Sequence, residues 1–185
     1  MVEQQTTFPF LLAKSITKKS DFEVMSTTII AKTGWRTDEL LTAIKEVKKK
    51  YDLVSVLIGV NNQYQGKEID QFREDFKLIL EKAISFSKNS KKGVFVYSIP
   101  DYSVMPFMRG KDVKKVSAEI KKFNGICSDV AYQMGVSFYN ITPISQKAQF
   151  DSNLIANDKL HPSGAMYKIW VSETVERIIS NQLNQ

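Results

Sequence analysis

The sequence predicts an α/β protein, a three-layer sandwich in which helices cover a parallel sheet, and three observations carry that expectation. Short runs rich in β-branched and aromatic residues alternate with amphipathic helical stripes along the chain. No internal repeat, low-complexity tract or interdomain linker interrupts them, so residues 1–185 are expected to form one domain. The composition, 43% hydrophobic and 25% charged over 185 residues, is that of a globular chain able to bury a core without disulfides or structural metal.

The elements follow in order. Pro9 with Phe10, Leu11, Leu12 and Ile16 reads as a first helix, with proline in its opening turn. Phe22 to Ile30, rich in Val, Thr and Ile, reads as a strand. Thr37-Asp38-Glu39 is a helix start signal, followed by Leu40, Leu41, Ile44 and Val47 as the apolar stripe. Leu53 to Ile58 and Val94 to Tyr97 read as buried strands, separated by a stripe of Ile69, Phe72, Phe76, Ile79, Leu80 and Ala83. Val113, Val116, Ile120, Phe123, Cys127, Val130 and Met134 recur in steps of three and four, which places them on one helical face. Gly135 supplies a stop, and a last strand is expected around Val136 to Tyr139. A loop carrying Pro143 and Asn153 leads to a final helix opening near Ser163, with Trp170, Val171, Val175, Ile178 and Ile179 inward. Cys127, on an apolar stripe, reads as core rather than as a nucleophile.

Charge and hydropathy exclude several functions. The excess of 26 Lys and Arg over 20 Asp and Glu gives +6. The positive charge lies in short runs such as Lys48-Lys49-Lys50 and Lys121-Lys122, on the polar faces of helical patterns, so solvated helix faces account for it and no nucleic-acid partner is expected. No apolar run approaches the roughly 18 residues of a spanning helix. The N-terminus has no basic region followed by an apolar stretch, and the single cysteine fixes no compartment. One histidine without a cysteine pair cannot build an ordinary zinc site, so neither a metal nor an organic cofactor is expected.

Three loops at predicted strand ends hold candidate functional residues, as expected for an α/β sheet, whose sites lie at the carboxyl ends of its strands. In Lys32-Thr33-Gly34-Trp35-Arg36-Thr37, Gly34 can present a bare backbone N–H to an oxyanion, or simply serve a turn. Gly59-Val60-Asn61-Asn62-Gln63-Tyr64-Gln65-Gly66 offers side-chain amides and a ring hydroxyl, as a site or as an Asx-type turn capped by Gly66. Asn157-Asp158-Lys159-Leu160-His161-Pro162-Ser163 contains the only histidine, with a carboxylate three residues earlier that could fix its tautomer. That histidine reads either as a general base or as a structural residue before a helix. Met105, Phe107 and Met108, in the loop from Tyr102 to Gly110, read equally as an apolar acyl subsite or as a flap over the core.

In this order and on this scaffold, the three loops resemble the later sequence blocks of the SGNH hydrolases, also called GDSL esterases and lipases. Gly34 matches the glycine of the second block, Gly59-Val60-Asn61-Asn62 the Gly-x-Asn-Asp of the third, and Asp158-Lys159-Leu160-His161 the Asp-x-x-His of the fifth. The resemblance runs from about Thr7 onward and implies a flavodoxin-like SGNH-hydrolase fold. It implies ester hydrolysis by serine acyl transfer, with His161 as base, Asp158 as its orienter, and Gly34 and Asn61 in the oxyanion hole. Trp35, Asn62 and Tyr64 are expected to line the substrate pocket, and the substrate to be a small ester or an acylated sugar or lipid. Asn62 stands where the family more often has Asp.

The family's first block, a strand ending in Gly-Asp-Ser, supplies the nucleophile, and no Gly-Asp-Ser occurs in these residues. Ser15 is not a substitute. Were it the end of a parallel strand, only about five residues would remain before Phe22 for a crossover that needs a dozen or more. The chain is therefore expected to begin just after that block, with Met1-Val2-Glu3-Gln4-Gln5 as the following loop and the first strand of the sheet missing. Neighbouring strands left with unpaired edges would favour self-association. The alternative reading is an inactive carbohydrate- or acyl-ligand-binding module on the same scaffold.

Overall fold

The structure is a computed structural model and describes residues 2–184. Met1, the first residue of the expected N-terminal loop, lies outside the described residues. In chain order the principal elements are α1 (Phe8–Lys19), α2 (Thr37–Ile44), β1 (Val54–Val56), α3 (Val60–Tyr64), α4 (Ile69–Phe86), β2 (Val94–Tyr97), α5 (Val113–Met134), β3 (Ser137–Tyr139), α6 (Thr142–Ser145) and α7 (Gly164–Ile178). The chain folds as two compact units. One comprises the residues up to Ile29, Pro100–Ala118 and Ile141–Ser180; the other comprises Ile30–Ile99, Glu119–Asn140 and the residues from Asn181 on.

The second unit holds the sheet. Among the described residues its strands lie in the order β1-β2-β3, all parallel, with Val54 opposite Val94 and Phe95 opposite Ser137. Every residue of β2 is buried, which is why Val94-Phe95-Val96-Tyr97 is a continuous apolar run rather than an alternating one. Phe72, Phe76, Ile79 and Leu80 of α4 are buried, and the Phe72 ring meets Phe123 of α5 with centroids 4.6 Å apart. Asn124 of α5 closes the exit of β2, accepting from the Ile99 N–H at 2.7 Å and donating to the Ile99 carbonyl at 2.9 Å. Cys127 is 1% exposed, and burial pushes its thiol pKa well up, as a core residue requires.

The first unit is helical. α1 packs on α7, burying Leu12 and Ile16 on one side and Trp170, Val171 and Val175 on the other. Phe8, Tyr167 and Trp170 continue that contact as a row of rings. Ser15 is a half-buried residue in the middle of α1, as its helical reading requires.

Three expectations need correction. Residues 22–30 form no strand. Their β-rich composition is real, but a strand exists only through ladder bonds to a neighbour. Among the described residues, the bonds recorded there are Phe22 N–H to Ser20 Oγ and Val24 N–H to Thr17 Oγ1. Phe22, Met25 and Ile29 are exposed. The segment after β1 is not an Asx-type turn but a helical turn, α3, that ends before Gly66. The N-terminal residues Gln4–Thr6 are likewise a 3-10 turn rather than a plain loop.

Candidate active site

In the first unit, the segment around His161 is a tight loop closed by its own backbone. Ile155 and Pro162 form an antiparallel bridge, Ala156 N–H donates to the His161 carbonyl at 2.8 Å, and Lys159 N–H returns to the Ala156 carbonyl at 2.9 Å. Lys159 adopts a left-handed conformation at φ 62°, and its carbonyl accepts the Phe107 N–H at 3.1 Å. Asp158 organises the turn from within. Its Oδ1 accepts the backbone N–H groups of Leu160 at 3.0 Å and His161 at 2.9 Å, and its Oδ2 lies 2.9 Å from His161 Nδ1.

That last bond assigns the imidazole's roles. An ionised carboxylate only accepts, so Nδ1 carries the proton and Nε2 keeps its lone pair to take one. The ring is half exposed. Partial burial works against ionisation of Asp158. The backbone N–H groups of His161 and Leu160 and the imidazole outweigh it and hold the carboxyl far below the usual carboxylate range. A depressed folded-state pKa contributes stability that is present above the ordinary value of about 4 and is lost as pH falls below it. The protein is therefore expected to be more stable than its D158N variant at about pH 5 by an amount that shrinks below about pH 4, read from urea midpoints between those values and lower pH. A difference that does not shrink below about pH 4 would contradict this assignment.

In the second unit the loops after residue 30 and after β1 are tied together. Gly34 is exposed at φ 89°, a conformation that glycine alone adopts readily, and Trp35 N–H closes the turn on the Lys32 carbonyl at 3.2 Å. Asn61 donates an Nδ2–H to the Trp35 carbonyl at 3.0 Å. An amide nitrogen carries two protons, and this bond uses one of them. Asn62, expected to line a substrate pocket, is 3% exposed and bonded instead to Thr37. Trp35 is half buried, while Tyr64 is exposed on the last residue of α3. Arg36 bridges the two loops by donating Nη1–H to Gln65 Oε1 at 2.8 Å.

The Tyr102 to Gly110 segment resolves into two roles. Met105 and Met108 are each 3% exposed and belong to the core, whereas Phe107 stands out at the surface. Asp101 anchors the segment: its carboxylate, lowered in pKa against the effect of burial, accepts from Ser103 N–H, Ser117 Oγ and Gln146 Nε2. Sequence reading missed Thr37 and Asp75 as partners of the Asn61–Asn62 turn. A signal existed for Asp75, which lies three residues after Phe72 and four before Ile79 and so falls on the apolar face of α4.

A parallel α/β sheet and an imidazole held by a carboxylate are features of the hydrolases that run acyl transfer through an oxyanion. The chain belongs to the GDSL-like lipase/acylhydrolase family, whose model matches residues 3–169 and thus runs through segments of both units. No curated protein sequence matches the chain. Among solved structures it is similar to TesA (18% identity, TM-score 0.67, covering 98% of this chain and 91% of that one). It is also similar to an acetyl xylan esterase, AlAXEase (13%, 0.72, 95% and 92%). A third is the esterase EstA from Pseudoalteromonas sp., inhibited by monoethylphosphonate (14%, 0.64, 97% and 91%). At these identities the likeness is one of fold. Among the described residues no helix is long and apolar enough to cross a membrane.

Proposed function

We propose that the chain is an ester hydrolase of the acyl-transfer type acting on a small ester, with acylated sugars and lipids as the candidate substrate classes. The observation that carries this reading is the 2.9 Å bond between His161 Nδ1 and Asp158, which leaves Nε2 as a base. In the proposed step a serine oxygen attacks the ester carbonyl, His161 takes the serine proton, and the Gly34 N–H and Asn61 amide donate to the oxyanion. His161 then returns the proton to the departing alcohol, and water hydrolyses the acyl-serine. These residues hold no Gly-Asp-Ser, and Ser15 sits within α1.

The test compares this chain with one extended upstream through the codons that precede Met1, on p-nitrophenyl acetate and longer-chain esters. Turnover and fluorophosphonate labelling are expected only in a chain that carries a strand-end serine. Stoichiometric labelling at Ser15 would overturn the role assigned to that residue. The exposed Tyr64 ring and the Arg36–Gln65 bond favour one second reading, a binding module for a carbohydrate or acyl ligand using Trp35, Arg36, Tyr64 and Gln65. That module requires inactivity of both chains together with measurable ligand binding.

Self-association through β1 is a further part of the proposal. The apolar run Leu53–Ile58 has the composition of a strand paired on both sides, yet among the described residues β1 has β2 as its one partner in the sheet. Sedimentation is expected to show concentration-dependent dimers that Ser55→Lys, at an exposed position of β1, weakens at least several-fold. A monomer at all concentrations would end this idea.

A further inference from the structure

We propose that Asp75, a buried carboxylate on α4, is a positioning residue for Gly34 and Asn61, acting through a hydrogen-bond relay whose direction its charge sets. The inference rests on the reading of those two groups as oxyanion donors. Asp75 is 8% exposed, and its oxygens accept from Thr37 Oγ1 at 2.7 Å and Gln71 Nε2 at 2.8 Å. Thr37, fully buried, accepts at the same hydroxyl from Asn62 Nδ2 at 2.7 Å, and its backbone N–H donates to Asn62 Oδ1 at 3.1 Å.

The polarity of this chain of bonds follows from proton counting. A carboxylate only accepts, so the single hydroxyl proton of Thr37 must point to Asp75. Thr37 Oγ1 is then left as an acceptor, which requires the NH2 end of Asn62 to face it, and Asn62 Oδ1 in turn meets the Thr37 N–H. Thr37 lies three residues after Gly34, and Asn62 directly follows Asn61, whose amide is bonded to the Trp35 carbonyl. The carboxylate on α4 thereby clamps the two donor loops in one register. An acid at position 62 with Asp75 retained would leave two acceptors competing for one proton.

The swap distinguishes this relay from ordinary core packing. The variants are D75L, D75N, N62D and the pair N62D/D75N, read by urea unfolding and by the amide resonances of Gly34 and the Asn61 side chain. D75N keeps an acceptor for Thr37 and should leave both resonances in place. D75L and N62D should each lower the urea midpoint by about 1 M and shift both resonances. In N62D/D75N the relay runs in reverse: the new amide at position 75 donates to the Thr37 hydroxyl, which donates to the new carboxylate at position 62. Midpoint and resonances should then return most of the way to wild type. The proposal is overturned if the double variant is no better than N62D, or if D75L lowers the midpoint with both resonances unmoved. Neither readout uses turnover, so the relay and the ester-hydrolase reading stand or fall separately.

Discussion

Replacing His161 by alanine in a chain extended through a serine-bearing first block is expected to reduce ester turnover about 10³-fold or more while leaving the unfolding free energy within about 0.5 kcal/mol of the parent. The two halves of that expectation have separate causes. The imidazole is half exposed and its side chain's recorded bond is to Asp158, so its removal opens no core cavity. The loop persists because Asp158 still accepts from the Leu160 and residue-161 backbone N–H groups. Chemically the loss is large, since residues 1–185 hold no other histidine to accept the proton. Parallel measurement of kcat, KM and urea unfolding checks it. A variant that keeps most of its turnover would remove His161 from the mechanism, and one that loses stability instead would make the residue structural.

The second large effect is one of stability. Gly59→Ala is expected to destabilise the protein by about 3 kcal/mol or more, read as a shift of the urea midpoint. Gly59 sits between β1 and α3 at φ 120°, where an L side chain is strained. A Cβ there would lie 2.8 Å from Ile99 Cδ1 and 2.8 Å from Phe72 Cε2. Both neighbours are fully buried and cannot move aside without disturbing β2's exit and the Phe72–Phe123 contact. Gly34→Ala makes an informative contrast. Its φ of 89° imposes strain but nothing lies within 4 Å of the added carbon, so its cost should be roughly 1–2 kcal/mol, from the backbone alone. Equal losses at the two glycines would mean that the close approach at Gly59 is relieved by repacking.

The helices were legible to different depths. The run from Val113 to Met134 with Gly135 beyond it coincides with α5, because seven apolar residues at helical spacing and a terminal glycine leave little choice of boundary. The helix expected to run through Val47 stops at Ile44, where the bonds tighten: Lys45 N–H reaches back to the Thr42 carbonyl and Val47 N–H to the Ile44 carbonyl. At the candidate site, the Asp158–His161 pairing was readable because its geometry lies within four consecutive residues. Thr37 looked like a helix start signal, yet its hydroxyl turns inward to Asp75, thirty-eight positions away in the chain. Asn62 looked like a pocket residue for the same reason in reverse: an amide beside a loop does not reveal which buried group will accept it.

What the sequence by itself determined are the features closed by near neighbours: the amphipathic helices, whose backbone bonds join residues four apart, and the Asp158–His161 turn, whose carboxylate bonds the next turn of chain. The tertiary structure alone decided the rest. Residues 22–30 have strand composition, and Leu53–Ile58 and Val94–Tyr97 have it too, but only the latter two meet a parallel neighbour that accepts their N–H groups. The sheet, the clamp of Asn62 on Thr37 and the burial of Asp75 all join residues far apart in the chain, and a pairing that distant is set by which surfaces the folded core brings together.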